Sequence, residues 1–266
     1  MYDRYNRNIH YLRISVTDRC NLRCKYCMPE KGITSLKHED ILSYEEIASF
    51  TRIAAGNGID KVRITGGEPL LRKNMVHLIQ LLANIDGIKD LSLTTNGILL
   101  TEFAEKLKGA GLQRVNVSLD TVDPERYKKI TRGGDFRRVM QGIDSAEIAG
   151  LLPIKINCVV NNSSDEPDAL GVKEFCKRRK FNVRFIHQMD LESGKYAPVE
   201  GGTGGDCNKC NKLRLSSDGN LRPCLFNDFS FNVRKLGAEK AIHMAIEAKP
   251  DCGTKSVHNR FNVIGG

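Results

Sequence analysis

The sequence predicts an α/β protein: an open, partial (β/α)6 barrel of TIM type followed by a small C-terminal extension. Three observations lead there. Apolar β-type runs alternate with amphipathic helical stretches from Ile9 to Gly194. Strand, helix, strand repeated six times favours parallel strands joined by right-handed crossovers, and six units are too few to close the eight-stranded barrel. The alternation then stops at a glycine-rich stretch, 192–206, which reads as a flexible linker. The expected division is therefore a barrel over residues 1–194 and an extension over 195–266.

Strands are expected at 11–16, 61–65, 90–94, 114–118, 154–160 and 183–188. Between them, helices are expected at 44–55, 74–84, 101–109, 124–131, 136–149 and 169–180. In the first of these Ile47, Phe50, Ile53 and Ala54 fall at helical spacing and give one core-facing stripe. A last helix is expected at 233–248.

With 266 residues, 40% hydrophobic and 27% charged, the chain is long enough for one large α/β domain with a real core. No apolar run approaches the length of a membrane-spanning helix. The polar start, Met1 to Arg7, lacks the apolar centre of a signal peptide. Nine cysteines clustered at metal-type spacings fit a reducing cytoplasm, and a cytoplasmic location is expected. A net charge of +9 favours an anionic ligand. Aromatic content of 6% with no Trp is a poor supply of stacking platforms, so nucleic acid is not the expected partner.

Two cysteine sets stand out. Cys20-Asn-Leu-Arg-Cys24-Lys-Tyr-Cys27 follows the first expected strand directly. Three thiols on one loop can hold three irons of a four-iron cluster and leave the fourth iron open. Cys24 and Cys27 could also form half a zinc site or a redox pair. The second set is Cys207-Asn-Lys-Cys210 with Cys224 thirteen residues further on, again three thiols. Zinc is the other reading there, with Cys252 or His258 as fourth ligand. Cys158, Cys176 and Cys252 otherwise read as inert core or surface residues. Thr65-Gly66-Gly67-Glu68-Pro69 comes straight after the second strand, and paired glycines let backbone approach a ligand closely.

CNLRCKYC resembles the cluster motif of the radical S-adenosylmethionine (SAM) enzymes. The wider string LRISVTDRCNLRCKYCMPE resembles the GTP 3′,8-cyclase family of molybdenum cofactor biosynthesis. That resemblance implies two [4Fe-4S] clusters, one on Cys20, Cys24 and Cys27 that binds SAM, and an auxiliary one on Cys207, Cys210 and Cys224 that meets the substrate. It implies SAM contacts at Tyr26, Gly67, Ser118 and Met189. Arg13, Arg63, Thr94, Lys155, Lys212 and Arg214 match GTP-contacting positions. The implied reaction is reductive cleavage of SAM to a deoxyadenosyl radical, abstraction of hydrogen from the ribose of GTP, and closure onto guanine C8. An electron donor such as flavodoxin or ferredoxin is implied, and a homodimer is allowed. The C-terminal Gly265-Gly266 resembles the diglycine end that the family inserts into its active site.

Two departures bear on the substrate. Only 190–206 spans a connection that is roughly forty residues longer in the family. Lys212-Leu-Arg214 stands where the family has Arg-x-Arg, which keeps the charge but loses one two-pronged phosphate grip. A related two-cluster enzyme acting on another nucleotide or on a peptide is the alternative, and a zinc-bearing nucleic-acid binding protein is a third. No general acid can be named from the sequence.

Overall fold

The computed structural model describes residues 1–264, so the Gly265-Gly266 end lies outside the described residues. Strands β1 (Tyr11–Ser15), β2 (Lys61–Thr65), β3 (Asp90–Thr95), β4 (Arg114–Ser118), β5 (Lys155–Val160) and β6 (Asn182–His187) are parallel and lie side by side in sequence order. A doubly wound sheet would reverse its order partway; this one does not, and it has the order of a barrel that stays open. Helices α1 (Tyr44–Gly56), α2 (Met75–Ala83), α3 (Leu100–Gly109), α4 (Pro124–Thr131), α5 (Phe136–Ile148) and α6 (Pro167–Arg179) fill the crossovers.

The period-two alternation of strand side chains sorts the sheet into two faces. Leu12, Ile14, Val62, Ile64, Val115 and Val117 are fully buried and belong to the same apolar core as Ile47 of α1, Leu78 of α2, Leu107 of α3 and Val139 of α5. Each such side chain contributes roughly 1.5–3 kcal/mol by leaving water. The alternate residues of the same strands, among them Tyr11, Arg13 and Arg63, point to the other face and line a cavity there. Local signals agree with the helix starts: Ser43 accepts from the Glu46 amide while Glu46 accepts from the Ser43 amide, a capping box that opens α1.

The C-terminal region joins the same sheet. β7 (Lys212–Leu215) pairs in parallel with the free edge of β1, and β8 (Asn220–Arg222) and β9 (Phe231–Asn232) continue antiparallel. The result is a nine-stranded sheet in the order β6-β5-β4-β3-β2-β1-β7-β8-β9. The helix expected at 233–248 is two, α7 (Val233–Leu236) and α8 (Ala238–Glu247), because Gly237 takes φ +79, which ends one helix and starts the next. A short α9 (Phe261–Ile264) follows.

The stretch expected as a flexible linker has a defined course. Asp190 and Lys195 exchange backbone hydrogen bonds, and Phe185 of β6 does the same with Glu200, so the segment lies along the open edge of the barrel. Among the described residues no helix is long and apolar enough to cross a membrane.

Candidate functional site

The parallel register decides where each functional residue stands. Cys20, Cys24 and Cys27 lie on the loop after β1, at the C-terminal ends of the strands. All three line one cavity of about 190 Å³, shared with Gly66, Gly67 and Ser118. The loop is laced to α4: the Arg23 and Lys25 amides donate to the Thr131 and Ile130 carbonyls, and Arg132 donates to the Arg23 and Met28 carbonyls. The Tyr26 hydroxyl donates to Asp120 Oδ2 at 2.8 Å, and Asp120 also accepts from the Val159 amide. Burial pushes the Asp120 carboxyl up to about 6. Burial likewise pushes the Cys20 and Cys27 thiols up to about 11, and Cys24 further, with Asp120 adding to it. Thiols held in this way ionise readily only against bound positive charge, which is what a metal supplies.

The glycine pair is bound to the same loop. The Gly67 amide donates to the Thr17 carbonyl at 2.7 Å and the Glu68 amide to the Arg19 carbonyl at 2.8 Å. A Cβ on Gly67 would fall 2.6 Å from the Arg19 carbonyl carbon and 2.9 Å from Asp18 O. Glu68, assigned no role from sequence, is buried and accepts from the Leu70 and Asn96 amides and the Thr95 hydroxyl. Burial raises it to about 7.

The second cysteine set stands at the other end of the strands. Cys210 precedes β7 by two residues, and β7 runs parallel to β1, so this set sits at the N-terminal side of the sheet. The antiparallel β7–β8 hairpin carries the chain back, and Cys224 follows Arg222 by two residues. The thirteen-residue gap between these cysteines is thus the length of a hairpin. The Lys249 ammonium, fully buried, holds this turn closed by donating to the Lys212 and Pro223 carbonyls. Cys207, Cys210 and Cys224 line a cavity of about 210 Å³.

Between the two ends lies a grid of cations. Arg63, Arg13 and Arg214 are direct partners on β2, β1 and β7, and one step below them stand Lys61, Tyr11 and Lys212. All six line the lower cavity. Burial, then Arg214, Arg63 and Arg184, push Arg13 down to about 9; burial also lowers Arg63 and Arg214. Burial pushes Lys155 down to about 8, and Arg114, Arg184, Lys61 and Arg63 add to it. Like charges set directly across neighbouring strands repel, so the grid is an arrangement that a polyanion would relieve.

Most residues expected from sequence meet here. Tyr26, Gly67, Ser118 and Met189 line the upper cavity, and Arg13, Arg63, Lys212 and Arg214 the lower. Thr94 lines the upper cavity with the first cysteines, and its hydroxyl has no hydrogen-bond partner among the described residues. Lys155 lines neither, though it feels the same cations. Sequence reasoning missed Asn157 and Arg184. Ser118, Asn157 and Arg184 lie abreast on β4, β5 and β6, and Asn157, Ile186 and Met189 line both cavities and so join them. The signal was the alternation Asn182, Arg184, Ile186 along one face of β6. The glycine stretch 202–205 and Tyr196 wall the lower cavity, and Phe261 of α9 reaches the upper one.

A model of the radical SAM superfamily matches residues 14–171. The GTP 3′,8-cyclase of Thermodesulfovibrio yellowstonii is 43% identical, over 89% of this chain and 88% of its own. That of Moorella thermoacetica is 41% identical, over 94% and 92%. The second alignment spans 297 positions against the 266 residues here, so the relative has residues without counterpart in this chain. Streptococcus suis SuiB bound to its precursor peptide SuiA superposes with a TM-score of 0.66 at 17% identity, covering 91% of this chain and 65% of that one. Methylornithine synthase gives 0.56 at 19%, covering 67% and 54%. At such identities the two structures speak for the fold alone.

Proposed function

The chain belongs to the radical SAM superfamily and, within it, to the GTP 3′,8-cyclase family, and from that premise we propose that it cleaves SAM reductively and converts GTP to (8S)-3′,8-cyclo-7,8-dihydroguanosine 5′-triphosphate for molybdenum cofactor biosynthesis. The observation that supports this most is the cation grid of β2, β1 and β7 set between two cysteine-lined ends.

In this reading Cys20, Cys24 and Cys27 hold one four-iron cluster, and Cys207, Cys210 and Cys224 hold a second. The donor chemistry suits such clusters: three half-buried thiols line each cavity. When bound, the clusters and SAM supply one-electron reduction and hydrogen abstraction. Tyr26, Gly67, Ser118 and Met189 seat SAM. Arg13, Arg63, Lys61, Lys212, Arg214 and Arg184 grip the triphosphate, since guanidinium forks match phosphate oxygens. Asn157, which lines both cavities, stands where the two ligands meet, with Thr94 on the SAM side. Residues 1–194 then form the SAM-binding barrel and 195–266 the auxiliary-cluster region. Electrons come from a small reductant such as flavodoxin or ferredoxin. A peptide substrate would bring less negative charge to this grid than a triphosphate does.

Anaerobic reconstitution is expected to return about eight irons per chain. Incubation with SAM, dithionite and a panel of nucleotides is expected to give deoxyadenosine with GTP. Deoxyadenosine with another nucleotide, and none above buffer with GTP, would reject the substrate and keep the chemistry.

Lys155 gives this reading a pH signature. Its ammonium, held near 8, is present below that pH and lost above it. At pH 7 to 8 Arg13, pushed down to about 9, keeps most of its charge. GTP affinity is therefore expected to be level near pH 7 and to fall as pH rises through 8, by roughly threefold, since Lys155 lines neither cavity and acts on the phosphates only through its field. Isothermal titration of Lys155→Met should show slightly weaker binding with that fall reduced, and Lys212, also held near 8, carries the remainder. An unchanged fall in the variant would assign it elsewhere.

A further inference from the structure

Beside the second cysteine set lies a fourth thiol that the proposed chemistry leaves unused. Cys252 is exposed, and its Sγ stands 3.2 Å from Cys207 Sγ. A disulfide bond is about 2.05 Å long, so the two sulfurs are close enough for small side-chain rotations to join them. They are held there from both sides. Arg7, buried and ion-paired to Asp3, donates to the Cys207 and Asp251 carbonyls at 2.8 Å each and to Pro250 O at 2.6 Å. One guanidinium thus ties the Cys207 backbone to the two residues directly before Cys252. On the other side Tyr196 Oη lies 2.8 Å from Cys252 Sγ and 3.3 Å from Cys207 Sγ, and its hydroxyl donates to Gly253 O at 3.0 Å. Gly253 keeps the segment close: a Cβ there would fall 2.9 Å from Cys224 Sγ.

We infer that Cys207 and Cys252 are a reversible disulfide site, closed when the second cluster is absent, and that closing it withdraws a ligand from that cluster. The inference rests on the reading of Cys207 as a ligand; the bond itself needs only the clamped pair. The oxidant is a low-molecular-weight disulfide. The exposed Cys252 sulfur attacks it, forms a mixed disulfide and releases one small thiol. Cys207 then attacks the Cys252 sulfur and releases the second. Two protein thiols lose two electrons, the small disulfide gains them, and the two protons end on the small thiols. A dithiol reductant reverses the exchange. While closed, the bond keeps Cys207 off the irreversible steps of thiol oxidation, and the second site cannot load until the bond is reduced.

The test uses the full chain, stripped of iron anaerobically and treated with oxidised glutathione. Remaining thiols are then alkylated, and the digest is mapped by mass spectrometry. A peptide joining Cys207 to Cys252 is expected, with Cys210 and Cys224 alkylated. Reconstitution after that treatment should return about four irons instead of about eight, recovered by dithiothreitol, while Cys252→Ser keeps about eight after the same treatment. Pairing of Cys207 with Cys210 or Cys224, or alkylation of Cys207, would overturn the inference. So would loss of iron from Cys252→Ser without any oxidant, which would make Cys252 a ligand. An untreated wild-type chain returning only about four irons would sink the two-cluster reading and the consequence for loading, while the peptide map would still report on the thiol pair.

Discussion

Gly67→Ala is expected to remove SAM-dependent deoxyadenosine formation, with a loss of at least roughly a hundredfold, because it moves backbone by about an ångström at the reacting end of the fold. The new methyl would meet the Arg19 carbonyl group and Asp18 O, both main-chain atoms that no rotamer change can clear. Arg19 is the residue before Cys20, and the Gly67 and Glu68 amides bond to the Thr17 and Arg19 carbonyls. Relieving the clash therefore shifts either the Gly66-Gly67 turn or the cysteine loop. Gly109→Ala is the control. Gly109 ends α3 with nothing within 4 Å of an added Cβ, and alanine there should be neutral or stabilising by about 0.4–1 kcal/mol. Deoxyadenosine yield, iron content and thermal melts of both variants check the contrast. A Gly67→Ala chain that binds SAM within threefold of wild type would show that the turn does not seat the cofactor.

Arg63→Met should pull affinity and stability in opposite directions. GTP binding is expected to weaken roughly 10–100-fold, the worth of a charge-assisted contact to phosphate. The nucleotide-free chain should melt at the same temperature or higher, because one of three adjacent guanidiniums, two of them buried, is gone and Met fills most of the space. Arg63 has a Tyr11 ring 5.4 Å from its guanidinium carbon, and its Nε has no hydrogen-bond partner among the described residues, so little in the free chain rewards the charge. Calorimetric titration with GTP and a melt without it measure both effects. A lower melting temperature with unchanged GTP affinity would make the arginine row structural.

The barrel was readable because its signals are local. Strands expected at 61–65 and 114–118 are β2 and β4 to the residue, and the others differ by a residue or so at their ends. Buried parallel strands are near-continuous apolar runs, and the helices between them carry one apolar stripe. β7–β9 were missed because four, three and two residues are too short for periodicity, and the pairing of β7 with β1 joins residues two hundred apart. Asp218-Gly219 between Leu215 and Leu221 was the available hairpin signal. The cation grid had a trace as well: Tyr11-Leu-Arg13, Lys61-Val-Arg63 and Lys212-Leu-Arg214 share one pattern, but register alone makes them neighbours. Composition misled at 192–206. Its glycines sit where backbone crosses backbone, as at Gly205, whose Cβ would lie 2.9 Å from Pro198 Cα. In the sequence Cys252 reads as a fourth zinc ligand or as inert, because nothing there shows how close its sulfur comes to that of Cys207.

One consequence of placing the cysteine sets at opposite ends of β1 concerns molecular reach. From Tyr11 to Ser15 the strand climbs four steps, about 13 Å at the usual rise. A compound that touches both ends at once must be at least that long. Inorganic phosphate or a bare nucleobase can dwell at one end and leave the other untouched, so the sheet itself selects by extent before any individual side chain selects by kind.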